Sequence, residues 1–275
     1  MSYTPTALTT TKRGRSLFGD GSDGNVTISV NTTLARDMYY NNLTVNVGII
    51  LTTGGFRIFV KGSLTLTGEI SYNGVNAVSA TGALPLAAGT LGTGGAGGTS
   101  TLAGSNPSAS ISSRLGGIGG NGGSSGAAGG IASSGVAVGN SEGNNASITL
   151  LTQYIMLRTN TISQVNGGTG GGSGSGTGAI AGGGGGSGAP VIFISAKTIT
   201  GSGTFRAIGG NGFSPANGGG GGGGGGGYIA ILTEDTVPNT VVFDVSGGAG
   251  GAAGVGGNAG AAGGTGTSVV TYTNN

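Results

Sequence analysis

The sequence predicts an all-β fold: β-solenoid-like strand rungs alternating with glycine-rich polyglycine-II arms. Three observations lead there. Seventy of the 275 residues are glycine, and they fall in blocks. Between the blocks lie short β-branched and aromatic runs such as Val191-Ile192-Phe193-Ile194. No stretch carries the 3.6-residue apolar period of a helix. Glycine costs roughly 0.5–1 kcal/mol more than alanine to order, so it is retained where a side chain would obstruct close packing or where nothing is ordered. Charged residues are 7% of the chain, against about 25% in an ordinary soluble domain. Disordered chains are usually charge-rich, so ordered glycine packing is the expectation.

Residues 1–22 are polar and Thr-rich and read as an attachment arm. Lys12, Arg13 and Arg15 form the one basic cluster, a candidate docking point for a partner. Asp20-Gly21-Ser22-Asp23-Gly24-Asn25 looks like a calcium loop but lacks the spacing and terminal glutamate of an EF-hand. It reads as a tight turn.

Residues 23–74 read as a β-solenoid-like domain. Val26–Val30 and Leu43–Val47 alternate apolar and polar residues, and Ile58-Phe59-Val60 and Leu64-Thr65-Leu66 follow. Asn41-Asn42 and Gly54-Gly55 punctuate them as turns. Asn25-Val26-Thr27, Asn31-Thr32-Thr33, Asn42-Leu43-Thr44 and Asn145-Ala146-Ser147 match the glycosylation sequon, which carries weight only in a secreted eukaryotic protein. Asn and Thr also serve at turns and in outward ladders of stacked strands.

Residues 75–275 read as a glycine-rich repeat domain. Strand starts align at Phe56, Ala146, Val191, Tyr228 and Ser268. The first four are each followed by a second β-rich stretch that runs into glycine, beginning at Glu69, Ser163, Arg206 and Asp244. Four arms result, at about 75–145, 167–188, 209–227 and 247–267. Gly248, Gly251, Gly254, Gly257, Gly260, Gly263 and Gly266 recur every third residue, the period of a helix with three residues per turn and about 3.1 Å rise. Six prolines are too few for collagen.

Several functions find little support. No His and no Cys exist, so the usual bases, nucleophiles and thiolate ligands are missing, and no catalytic residue, metal or cofactor is assigned. Net charge is +2 without a basic footprint, which argues against nucleic acid. No 18-residue apolar run exists, which argues against membrane insertion. The ten glycines from Gly218 to Gly227 lack the Gly-Lys-Ser/Thr of a phosphate loop. Glu234 and Asp235 are adjacent carboxylates in a turn. Interruptions of the glycine arms carry the side chains able to recognise something: Phe213, Pro215 and Asn217 in one arm, Leu84, Pro85 and Leu86 in another.

The block Gly-Tyr-Ile-Ala-Ile-Leu at 227–232, Asp244-Val245-Ser246-Gly247-Gly248, the closing Gly-Thr-Gly-Thr-Ser-Val-Val-Thr-Tyr-Thr at 264–273 and the opening Gly-Asp-Gly-Ser-Asp-Gly-Asn-Val-Thr-Ile at 19–28 resemble glycine-rich appendage proteins of tailed bacteriophages. The resemblance implies a non-enzymatic virion protein on a tail, fibre or capsid surface, homotrimeric, assembled in the host cytoplasm. Its N-terminal arm would dock on other virion proteins, and arm tips would meet a host cell-surface glycan or protein. Two other classes stand beside it: a self-assembling extracellular filament, and a tailspike-type polysaccharide depolymerase using Glu234 or Asp235.

Overall fold

The computed structural model describes residues 17–86, 89–91, 94–99, 117–123, 167–176 and 181–273. Twelve strands are present among them: β1 (Asn25–Ile28), β2 (Thr32–Thr33), β3 (Met38–Tyr40), β4 (Asn42–Val45), β5 (Ile50–Thr52), β6 (Ile58–Leu66), β7 (Glu69–Ser71), β8 (Val191–Gly201), β9 (Thr204–Arg206), β10 (Tyr228–Thr233), β11 (Val242–Asp244) and β12 (Thr267–Tyr272). Their order gives two sheets. The larger runs β1-β4-β6-β8-β10-β12, with β3 also paired to β6, and the smaller runs β11-β9-β7-β5-β2. Every pairing is parallel. Parallel neighbours cannot be joined by a tight hairpin and need a crossover. Here the return path is the other sheet, because the chain passes from one sheet to the other at nearly every connection.

Period-two alternation decides which face each strand buries. In the larger sheet Val26, Leu43, Leu64 and Ile199 stand in one inward row across β1, β4, β6 and β8. In the smaller sheet Leu51, Ile70, Phe205 and Phe243 form the matching row across β5, β7, β9 and β11. These rows meet in one apolar core. The upper part of β8 and all of β10 are buried on both faces. Their outward residues Phe193, Tyr228 and Ala230 belong to a second cluster with Phe59 and Leu91. That burial explains why 191–194 and 228–232 are continuous apolar runs, as expected of parallel strands covered on both sides.

The expected fold class is therefore corrected. Solenoid rungs bearing polyglycine-II arms do not describe this chain. Two continuous parallel sheets, linked by sequential crossovers, organise the described residues, and the glycine segments lead into or out of their strands, 218–227 being bonded to three neighbouring segments at once. The segment 181–190 leads into β8, 218–227 into β10 and 257–266 into β12. Neighbours keep the strand order: Ala189 N–H donates to Gly225 O, and Gly226 N–H to Gly264 O. Beyond the smaller sheet, Gly74 N–H donates to Ile208 O and Gly209 N–H to Ser246 O in the same way. The repeat in the sequence marked where strands begin; it did not state which strands pair, and the pairing makes the architecture.

Within the glycine layers the peptide groups are paired with one another. Gly219, Gly222 and Gly225 donate to Ser175, Gly172 and Thr169; Gly220, Gly223 and Gly226 donate to Asn258, Ala261 and Gly264; Gly221, Gly224 and Gly227 donate to Phe213, Gly210 and Ala207. This meets the requirement that buried N–H and C=O groups find partners. The spacing leaves no room for side chains: a Cβ on Gly222 would lie 2.0 Å from the carbonyl oxygen of Gly120.

The expected turn at Asn41-Asn42 is a link inside the larger sheet. β3 and β4 both pair with β6, whose register shifts between Val60 and Ser63. Gly54 and Gly55 do form a turn, both with positive φ, at 62° and 79°. The strand start at Ala146, the stretch from Ser163 to Asn166 and the basic residues Lys12, Arg13 and Arg15 lie outside the described residues.

Candidate functional site

The outward face of the larger sheet carries a polar array. Because Val26, Leu43, Leu64 and Ile199 point inward, the residues on either side of each point outward. One outward row is Thr27, Thr44, Thr65 and Thr200, in register across β1, β4, β6 and β8. The second joins Asn25 to Asn42 and Ser63 to Thr198 across the same strands, with Asn42 and Ser63 tied by a hydrogen bond. Each strand thus presents an Asn/Ser/Thr-x-Thr rung. Neighbouring rungs are about 4.8 Å apart, and the two rows about 6.6 Å apart along the strands.

Hydrogen bonds hold the Asn/Ser row in place. Asn41 and Asn42 both donate side-chain N–H to Asn25 Oδ1, at 2.8 and 2.9 Å. Ser63 N–H donates to Asn42 Oδ1 at 2.8 Å. Gly62 makes this possible: a Cβ there would stand 2.4 Å from Asn42 Oδ1. At the far end Thr198 Oγ1 donates to Asp235 Oδ2 at 2.9 Å. The threonine row is looser. Thr200 Oγ1 donates to Thr65 Oγ1 at 3.3 Å, and the hydroxyls of Thr27 and Thr44 have no hydrogen-bond partner among the described residues. Those two rungs keep donor and acceptor capacity for something outside the chain.

Lys61, two residues before Ser63 on β6, is exposed and has no ion pair among the described residues; the other charged side chains near the array are engaged. Asp23 is held by Arg36 through two oxygens, at 2.6 and 3.1 Å, and takes the Tyr39 N–H. The Arg36 hydrogen bond, against the opposing cost of burial, keeps the Asp23 carboxyl below its usual value. The calcium-like loop is thus a turn whose second aspartate serves an ion pair. Asp37 receives the Arg57 side chain and backbone N–H together with the Thr90 hydroxyl, and both ends of that pair are nearly buried. On the smaller sheet Arg206 bridges Glu69 and Asp244, at 2.7 and 3.2 Å. Glu234 pairs with Lys197 at 3.6 Å. Among the described residues no group of three His, Cys, Asp or Glu side chains could hold a metal ion.

The recognition residues expected from the sequence lie elsewhere. Phe213, Pro215 and Asn217 sit in a reversal between glycine segments. Asn217 bridges to Val255, Val255 N–H donates to Ala216 O, and Phe213 O accepts from Gly221 N–H. Leu84 and Pro85 are exposed, while Leu86 packs on the main core. No hydrogen bond among the described residues joins the two groups. The polar array was only partly anticipated: Asn25-Val26-Thr27 and Asn42-Leu43-Thr44 stood out as sequons, whereas Ser63-Leu64-Thr65 and Thr198-Ile199-Thr200 did not.

The sequence matches no family model, and no curated protein or solved structure matches the chain. The resemblance to glycine-rich phage appendage proteins is corrected by the two all-parallel sheets with sequential connectivity, and the virion and adhesin reading drawn from it falls away. The filament alternative rested on the same expected rungs and goes with it, and so does the tailspike alternative, whose Glu234 is paired with Lys197 and whose Asp235 accepts a hydrogen bond from Thr198. The expectation of a non-enzyme is withdrawn too. A scaffold of parallel strands also carries catalysis in other proteins, and function has to be argued from a site.

Proposed function

We propose that this chain is a binding module whose outward face on the larger sheet recognises an extended ligand with regularly repeating polar groups. The observation that carries this reading is the in-register pair of rows, Thr27-Thr44-Thr65-Thr200 and Asn25-Asn42-Ser63-Thr198. Short hydroxyl and amide groups repeat at the strand spacing over four adjacent strands. The Asn/Ser row is fixed by its own hydrogen bonds, so little side-chain entropy is lost on binding. A folded sheet needs only its inward face to be apolar; similar short polar groups on four strands, the last of them 135 positions beyond its neighbour, are what a repeating ligand requires.

The test is a retention experiment on insoluble repeating ligands: cellulose, chitin and ice. A Thr44→Glu/Thr65→Lys variant covers the face with a cross-strand ion pair, a change that neighbouring exposed strand positions accept. The wild-type protein should be retained by at least one of the three, and the variant should be released. Retention by none, or equal retention of both proteins, overturns the reading.

A further inference from the structure

Resting on that reading, we infer that the ligand is an uncharged, ribbon-like polysaccharide of equatorially linked sugars, lying across the strands with about one sugar per strand. Four features of the face support this choice. The strand spacing of about 4.8 Å is close to the advance per sugar of such an extended chain, so the mismatch accumulated over only four rungs stays small. The two rows are about 6.6 Å apart, which lets one flat ribbon rest hydroxyls of its two edges on Thr and Asn/Ser side chains together. The rungs themselves carry no charge: Asn25, Asn42, Ser63, Thr198 and the four threonines are neutral, and Asp235 stands at one end, bonded to Thr198. Lys61 and the Glu234-paired Lys197 stand beside the Ser63 and Thr198 end, so an anionic polymer would meet cations only there, next to that carboxylate, and none along the rows. Finally, hydroxyl and side-chain amide groups donate and accept together, as sugar hydroxyls do.

The array spans four rungs, which fixes a length dependence. Titration calorimetry with purified β-1,4-linked gluco- and chito-oligosaccharides of two to six sugars should show affinity rising by about tenfold from the disaccharide to the tetrasaccharide, as added hydrogen bonds accumulate. It should then level off. Thr44→Val/Thr65→Val, which deletes two hydroxyls and keeps strand shape, should lower tetrasaccharide affinity by about tenfold or more. Thr33→Val on the smaller sheet should leave it unchanged. Affinity independent of length, or equal in the Thr44/Thr65 variant, overturns the inference. Absence of oligosaccharide binding alongside ice retention that the Thr44→Glu/Thr65→Lys variant loses also overturns it, while leaving the face itself a binding surface. Absence of both removes the face as well.

Discussion

Thr200 donates a hydrogen bond to Thr65 at 3.3 Å, although the two residues are 135 positions apart in the chain. The contact exists because β6 and β8 pair in parallel and in one register over Ser63–Leu66. A slip of β8 by one residue would turn Ile199 outward and bury Thr200. Core and binding face are therefore two sides of one register.

Substitutions on the face should separate binding from stability. Thr44→Val and Thr65→Val are expected to change unfolding free energy by no more than about 0.5 kcal/mol each, as surface changes usually do. Chemical denaturation of both variants beside the wild type measures this. A loss of several kcal/mol would make the row a structural ladder.

The glycine layers should tolerate methyl groups only at their margins. Gly222→Ala places a Cβ 2.0 Å from a carbonyl oxygen in a fully buried layer, and a loss of more than about 4 kcal/mol, or failure to fold, is expected. Gly264→Ala meets nothing closer than 3.2 Å and is exposed, so a change within about 1 kcal/mol is expected. Thermal unfolding of the two variants checks the contrast. Equal effects would contradict the packing described for 218–227.

Removing one end of the Asp37–Arg57 pair should be costly. Asp37→Ala strands a guanidinium that is only 8% exposed and frees the Thr90 hydroxyl. A loss of about 3–5 kcal/mol is expected. Asp37→Leu combined with Arg57→Met should recover much of it, because no unpaired charge remains. Denaturant midpoints of single and double variants distinguish a buried ion pair from an ornamental one.

Thr53 is fully buried, and its hydroxyl oxygen has no hydrogen-bond partner among the described residues. Thr53→Val removes an unsatisfied group at nearly constant volume and should raise stability by about 1 kcal/mol. An unchanged or lower denaturation midpoint would mean that the hydroxyl has found a partner, such as a bound water.

Stability should fall at both ends of the pH scale. At the alkaline end, burial pushes the phenols of Tyr40 and Tyr228 up to about 12 from 10.0. The folded state then keeps protons that the unfolded chain loses, so stability should fall as pH rises from about 10 toward about 12. At the acid end Asp23 is held low by Arg36. Asp244 is also low, because hydrogen bonds from Ser246 and the charge of Arg206 outweigh the opposing effect of burial. These contributions are present above the unfolded carboxylate value of about 3.9 and are lost as pH falls through the lower folded values. Denaturation midpoints against pH, with tyrosinate absorbance followed in parallel, test both limbs.

Strand starts were legible because alternation and β-branched runs are local. Val26, Leu43, Val191 and Tyr228 all lie in strands that their own neighbours announce. Pairing was not legible. Nothing near Thr65 indicates Thr200, and nothing near Arg206 indicates that Glu69 and Asp244 will flank it. The very short β2, β3 and β5 carry too few residues to show a period. For the same reason the face was half visible. Asn25-Val26-Thr27 and Asn42-Leu43-Thr44 share a local pattern, but the rungs with Ser63 and Thr198 join them only once the register is known.

The most direct test of the binding face is methyl-threonine NMR of the intact protein during titration with a β-1,4-linked tetrasaccharide. The expected result is a set of shifts confined to Thr27, Thr44, Thr65, Thr198 and Thr200. Shifts at Thr33 and Thr52 on the smaller sheet with those five silent, or no shift at saturating sugar, would contradict the assignment of this face as the ligand site.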